Sequence, residues 1–169
     1  MMKTHSARLL VTLGLLTALQ VVLSRFCSIN AWNIKIGFSF VPVVAAAVLY
    51  GPLPAGAVAA LGDFLGATLF PIGPYFPGFT LTAFCTGCVF GIFLRRRQTA
   101  ARVAAAVLIQ QLLLSLLADS LWISILYQSP YVPLLHARVM QCMVLGPVQF
   151  AGSGLVVRAL SQYGKKAFA

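Results

Sequence analysis

Long apolar runs with almost no acid in them set the limits on what this chain can become. Six such runs follow one another through 169 residues. A helix of about 20 residues crosses the roughly 30 Å hydrocarbon core of a bilayer. The runs are continuous and show no ten-residue alternation, so they predict helices rather than a barrel. Hydrophobic residues make up 60% of the chain and charged ones 8%, against about a quarter charged in soluble domains. Too few polar side chains exist to cover a soluble globule. Disorder is excluded as well, because it pairs low hydrophobicity with high charge. A basic nucleic-acid binder needs its cations on a solvated face, which this composition does not offer. The expectation is an all-α integral membrane protein, one six-helix domain over residues 1–169.

The six spans are expected at about Ala7 to Leu23, Gly37 to Tyr50, Pro54 to Phe70, Phe79 to Leu94, Val103 to Tyr127 and Val139 to Leu160. Pro54 suits a first helical turn, and Gly146-Pro147 predicts a kink in the last span. The first segment lacks a small-x-small cleavage site, since Leu23-Ser24-Arg25-Phe26-Cys27 follows it, and is kept as a span rather than a signal peptide.

Twelve Lys and Arg accompany two acids, a net charge of +10. With six spans, both termini share a side. That side collects Lys3, Arg8, Arg95, Arg96, Arg97, Arg102, Arg158, Lys165 and Lys166, leaving Arg25, Lys35 and Arg138 on the other. The positive-inside rule then places both termini in the cytoplasm of a multi-pass cell-membrane protein. Arg95-Arg96-Arg97 is expected to anchor topology, with anionic lipid headgroups as its partners.

Three features remain. Asp63 lies within Ala60-Leu-Gly-Asp-Phe-Leu-Gly66. A charge inside lipid costs about 2.5–3.5 kcal/mol on insertion scales, so it faces a cavity or a partner. Gly62 and Gly66 form a small-xxx-small pair suited to close helix approach. Asp119 and Trp122 are one turn apart and could receive a flat heterocycle, although Trp122 also suits an interfacial belt. Arg25, Lys35 and Arg138 sit where topology gives no reason for positive charge; an arginine fork there suits a carboxylate or phosphate.

The segment Phe70-Pro-Ile-Gly-Pro-Tyr-Phe-Pro-Gly-Phe-Thr80 is too rich in Pro and Gly for helix, yet keeps Tyr75 and Phe76. It is expected to form an aromatic lid over an external pocket. Cys85-Thr-Gly-Cys88 lies in an apolar run without a second ligand pair, and is read with Cys27 and Cys142 as small apolar filler. HExxH, GxSxG and Walker A sequences are missing, so neither an enzyme nor an ATPase is expected. Uphill transport would draw on an ion gradient, with Asp63 as a proton-coupled carboxylate, or on a separate ATPase.

Lys35-Ile-Gly-Phe-Ser-Phe-Val-Pro42, Leu49-Tyr-Gly-Pro52, Ala60-Leu-Gly-Asp63 and the stretch from Leu69 to Ala83 resemble the folate-family S component of energy-coupling factor (ECF) vitamin transporters. Ser120-Leu-Trp-Ile-Ser-Ile-Leu-Tyr127 and Pro133-Leu-Leu-His-Ala-Arg138 are also similar, in the same order across about residues 8–145. The resemblance implies a six-helix subunit that binds a vitamin with nanomolar-class affinity in an outward pocket. It implies partners too: a transmembrane coupling subunit and two ABC ATPases, with no cofactor and no nucleic acid. The family's alanine-xxx-alanine coupling pattern falls on Gly14 and Ala18. Folate is the expected vitamin, with pantothenate or another vitamin as the alternative. Asp63 would accept from pterin donors, Tyr75, Phe76 and Trp122 would supply walls, and Arg25, Lys35 and Arg138 would meet carboxylates.

Overall fold

The computed structural model describes residues 2–31 and 34–167, with side chains at 7–28, 37–136 and 138–162. Six helices follow in order: α1 (Met2–Arg25), α2 (Phe40–Tyr50), α3 (Pro52–Leu69), α4 (Pro77–Leu94), α5 (Ala100–Tyr127) and α6 (Tyr131–Ala167). Between α1 and α2 stands an antiparallel hairpin of β1 (Ser28–Ala31) and β2 (Ile34–Gly37), with Asn30 opposite Lys35. The structure is therefore nearly, rather than wholly, helical.

Proline sets two of the helix starts. Pro52 and Pro77 occupy the first turns of α3 and α4, where an absent N–H leaves no bond unmade. One residue, Gly51, joins α2 to α3 at φ 95°, a left-handed value that glycine adopts without a Cβ penalty. The side chain of Arg95 lies directly over it.

The core gathers on the inner helices. Val44, Ala46 and Ala47 of α2, Ala55 of α3, Phe90 and Leu94 of α4 and Ala106 of α5 are fully enclosed. The pair α3–α4 is the closest. Gly87 meets the backbone of Ala55 and Gly56, and Gly91 meets that of Pro52, so neither position has room for a Cβ. Outward faces stay apolar, with Leu10, Leu15, Leu53, Ile92, Met143 and Leu155 all exposed. That surface is stable only against lipid.

Five helices are long and apolar enough to cross a membrane; α2, with 11 residues, is not. At 1.5 Å per residue it is only about 16 Å long. The second expected span, Gly37 to Tyr50, is thus too long, because Lys35–Gly37 belongs to the hairpin and helix begins only at Phe40. The tail end of α2 reaches Gly51 beside Arg95, so its N-terminal end stops short of the opposite face. Helix α6 differs in the other direction. It starts eight residues before Val139 and runs unbroken through Pro147, which places His136 within helix instead of loop and Arg138 inside the helix instead of at its start. Helix α5 is not uniform: Ala100–Ile109 is α-helical, Gln110–Ala118 is a π-helix, and Asp119–Tyr127 is α-helical again.

Candidate functional site

The short α2 leaves space above its N-terminal end, and that space is a cavity of about 440 Å³. Gly37, Ser39, Phe40 and Val43 form its floor, and the 72–76 loop borders it from the connection between α3 and α4. Its size falls in the range of about 300–1,000 Å³ typical of small-molecule sites. All the main helices contribute: Gln20 and Arg25 from α1, Asp63 from α3, Thr82 and Thr86 from α4, Gln110, Gln111, Ser115 and Asp119 from α5, and Arg138, Gln141 and Gln149 from α6.

Arg25 closes α1 and faces Asp63 electrostatically. The carboxylate Oδ2 of Asp63 accepts a hydrogen bond from Thr80 Oγ1 at 3.0 Å, and that hydroxyl is 3.1 Å from the phenol oxygen of Tyr75. The ring of Tyr75 also stands edge-on to Phe64, with centroids 5.7 Å apart. Through this chain the loop is tied to the acid of α3. Gly62 and Gly66, one helical turn apart, do not bring two backbones together. A Cβ on Gly62 would strike the amide of Gln20, and one on Gly66 would lie 2.8 Å from Nε of Arg25. Both glycines give room for polar side chains from α1 to reach the cavity.

Across the cavity, Arg138 is 6% exposed and pairs with Asp119 at 3.8 Å. This exceeds the roughly 2.7–2.9 Å of a direct charge-assisted bond. Nε and Nη1 of Arg138 and Nε of Arg25 are buried without a hydrogen-bond partner among the described residues. Buried donors left unmade cost about 1–3 kcal/mol, more for charged groups, so these arginines are suited to an anion from outside the chain.

Of the residues singled out in the sequence, Arg25, Asp63, Tyr75, Phe76 and Arg138 come together on the cavity wall. Trp122 stands behind it. Its Nε1 donates to Thr82 Oγ1 at 2.9 Å and its ring packs on Phe76 with centroids 5.5 Å apart, so it braces two wall residues. Lys35 is in β2, and its side chain lies outside the described residues. Gly14 and Ala18 are on an exposed face of α1, and a Cβ at Gly14 would meet nothing within 4 Å. The glutamines were missed by sequence reasoning. Gln111 donates to Gln149 at 3.1 Å and Gln20 donates to the carbonyl of Ala59 at 3.2 Å. An uncharged amide within an apolar run gives only a weak signal, although five of them (Gln20, Gln110, Gln111, Gln141, Gln149) recur at this cavity. The cysteines are free thiols, and among the described residues no His, Cys, Asp or Glu cluster could hold a metal ion. Cys88 packs at Gly56, as filler would.

Fold and site together define a polytopic membrane protein that encloses a polar, arginine-lined ligand cavity. Comparison with known proteins narrows that class. Residues 4–161 match the family described as ECF-type riboflavin transporter, S component. The folate transporter FolT of Clostridium novyi (strain NT) is 36% identical over 140 residues, covering 82% of this chain and 81% of that protein. FolT of Leuconostoc mesenteroides subsp. mesenteroides is 29% identical over 170 residues, covering 95% and 91%. A crystal structure of FolT bound with folic acid superposes with a TM-score of 0.84 at 31% identity, covering 89% of this chain and 92% of that one. The chain belongs to the S-component family of ECF-type transporters, substrate-binding subunits rather than enzymes.

Proposed function

We propose that this S component binds folate and delivers it for ATP-driven import. The observation that carries the reading is the pair of cavity-lining arginines, Arg25 and Arg138, with Nε of each and Nη1 of Arg138 buried without a hydrogen-bond partner among the described residues. The family description names riboflavin, whereas the relatives are folate transporters. Riboflavin ends in a neutral polyol and folate in two carboxylates, and only the carboxylates give two cations an ionic counterpart. Asp63 accepts from the amide and amino donors of the pterin, and Tyr75 and Phe76 form aromatic walls with Trp122 behind Phe76. Arg25, Arg138 and Lys35 receive the carboxylates.

The same reading places both termini in the cytoplasm of a bacterial cell, because nine of twelve cations then lie inside. ATP hydrolysis belongs to two ABC ATPases that act through a transmembrane coupling subunit. The exposed Gly14 and Ala18 of α1 supply a contact where small residues at i and i+4 permit close helix approach.

Titration of the purified protein with folate, riboflavin and pantothenate tests the ligand. Saturable binding of folate, with the other two at least a hundredfold weaker, is expected. Tight riboflavin or pantothenate binding without folate binding overturns the assignment. Folate uptake that follows a proton gradient with no coupling module present would instead restore a stand-alone transporter based on Asp63.

A further inference from the structure

Helix α5 presents Gln111, Ser115, Asp119, Ile123 and Tyr127 to the same cavity, every fourth residue over most of its length. No regular α-helix can do this. At about 3.6 residues per turn, Gln111 and Tyr127 would point about 160° apart, on opposite sides of the helix. The first half of that interval is π-helical, Gln110–Ala118. Its i→i+5 bonding widens the turn to about 4.4 residues, so that every fourth residue lags where in an α-helix it leads. The two drifts cancel, and the ends of the stripe return to within about 20° of each other.

A π segment of nine residues is long for a form seen mostly as single turns, and such turns concentrate at functional sites. Here it brings in two adjacent residues, Gln110 and Gln111, at one end of the stripe. Gln111 is held by Gln149. Gln110 is not similarly occupied, because its Oε1 is buried without a hydrogen-bond partner. A buried amide oxygen left so costs about 1–3 kcal/mol unless something else donates to it.

We infer that the π segment is a register shift that aligns the two halves of α5 on the ligand, and that Gln110 is a specificity residue accepting from a ring N–H or amino group of the bound vitamin. This rests on the cavity being the vitamin site. Gln110 adds a neutral acceptor to a wall whose charged groups are Arg25, Asp63, Asp119 and Arg138.

Two measurements test it. The first needs no ligand. In a variant with the four native cysteines replaced, Gln111→Cys, Ser115→Cys, Ile123→Cys and Tyr127→Cys are introduced singly and treated with a charged methanethiosulfonate reagent. All four should react, while Leu113→Cys and Leu117→Cys, which face outward in the structure, should not. An α-helical pattern, with Gln111→Cys as unreactive as Leu113→Cys while Tyr127→Cys reacts, overturns the alignment. The second is folate affinity. Gln110→Leu should weaken binding tenfold or more, and Gln110→Glu, which keeps an acceptor, should weaken it less. Equal affinity of Gln110→Leu and the parent overturns the role of Gln110. If the parent chain binds no folate yet shows the six-position reactivity pattern, the alignment is supported and it is the folate reading that falls.

Discussion

Asp63 is bound by Thr80 and faced by Arg25, so a change at this one carboxylate is felt by α1, α3 and α4 together. Asp63→Asn keeps the shape and removes the charge; folate affinity should fall tenfold or more in a titration of the purified protein. Tenfold is about 1.4 kcal/mol, the scale of one good hydrogen bond to a charged group. Arg138→Ala should weaken binding at least as much, and Arg138→Lys should recover only part, because an ammonium lacks the planar fork. Gly66→Ala is a subtler case. Its new Cβ would lie 2.8 Å from Nε of Arg25, the far end of a flexible side chain, so the chain should fold with little loss of melting temperature while Arg25 is displaced and affinity falls. The charged residues of the site were legible in the sequence because an ion in an apolar run is anomalous on energetic grounds. Gln110, Gln111 and Gln149 were not, since an amide carries no comparable penalty and tolerates many environments.

Helices α3 and α4 meet through glycines, and the two kinds of glycine in α3 and α4 do different work. Gly62 and Gly66 admit side chains, whereas Gly87 and Gly91 admit backbone. Backbone cannot give way, so Gly91→Ala should destabilise by the upper part of the overpacking range of about 1–3 kcal/mol. At about 2–4 °C per kcal/mol for a chain of this size, a thermal melt should drop by about 5–10 °C, a far larger change than for Gly66→Ala. The element plan was readable where length and hydrophobicity agree, as in α1, α3 and α4. It failed at α2, because Gly37 and Phe38 continue the apolar run although the chain there is finishing a hairpin. It also failed inside α5. A regular 3.6-residue period turns Tyr127 about 160° away from Gln111, so no periodicity argument could have put both on one wall. The start of α6 was set too late because Arg138 reads as the cation that opens the span, whereas it is buried inside the helix and paired with Asp119.

For the molecule as a whole, binding and delivery are expected to separate. Ala18→Leu combined with Gly14→Leu enlarges an exposed face of α1 at two residues that do not line the cavity. Folate affinity of the purified double variant should stay within about twofold, while uptake by cells that also express the coupling subunit and ATPases should be abolished. Loss of binding in the double variant would show that the face is part of the bundle and not a contact for a partner. Topology reporters fused at either end should both read as cytoplasmic, the outcome expected when the side with nine of the twelve cations faces inward.

The joint at Gly51 also bears on how the chain enters the membrane. A segment of 11 residues is too short to partition into lipid on its own during synthesis. Only one residue separates it from α3, so α2 has to wait for α3 and go in with it as a folded-back pair. The floor of the cavity and the helix bearing Asp63 then enter the membrane as one unit.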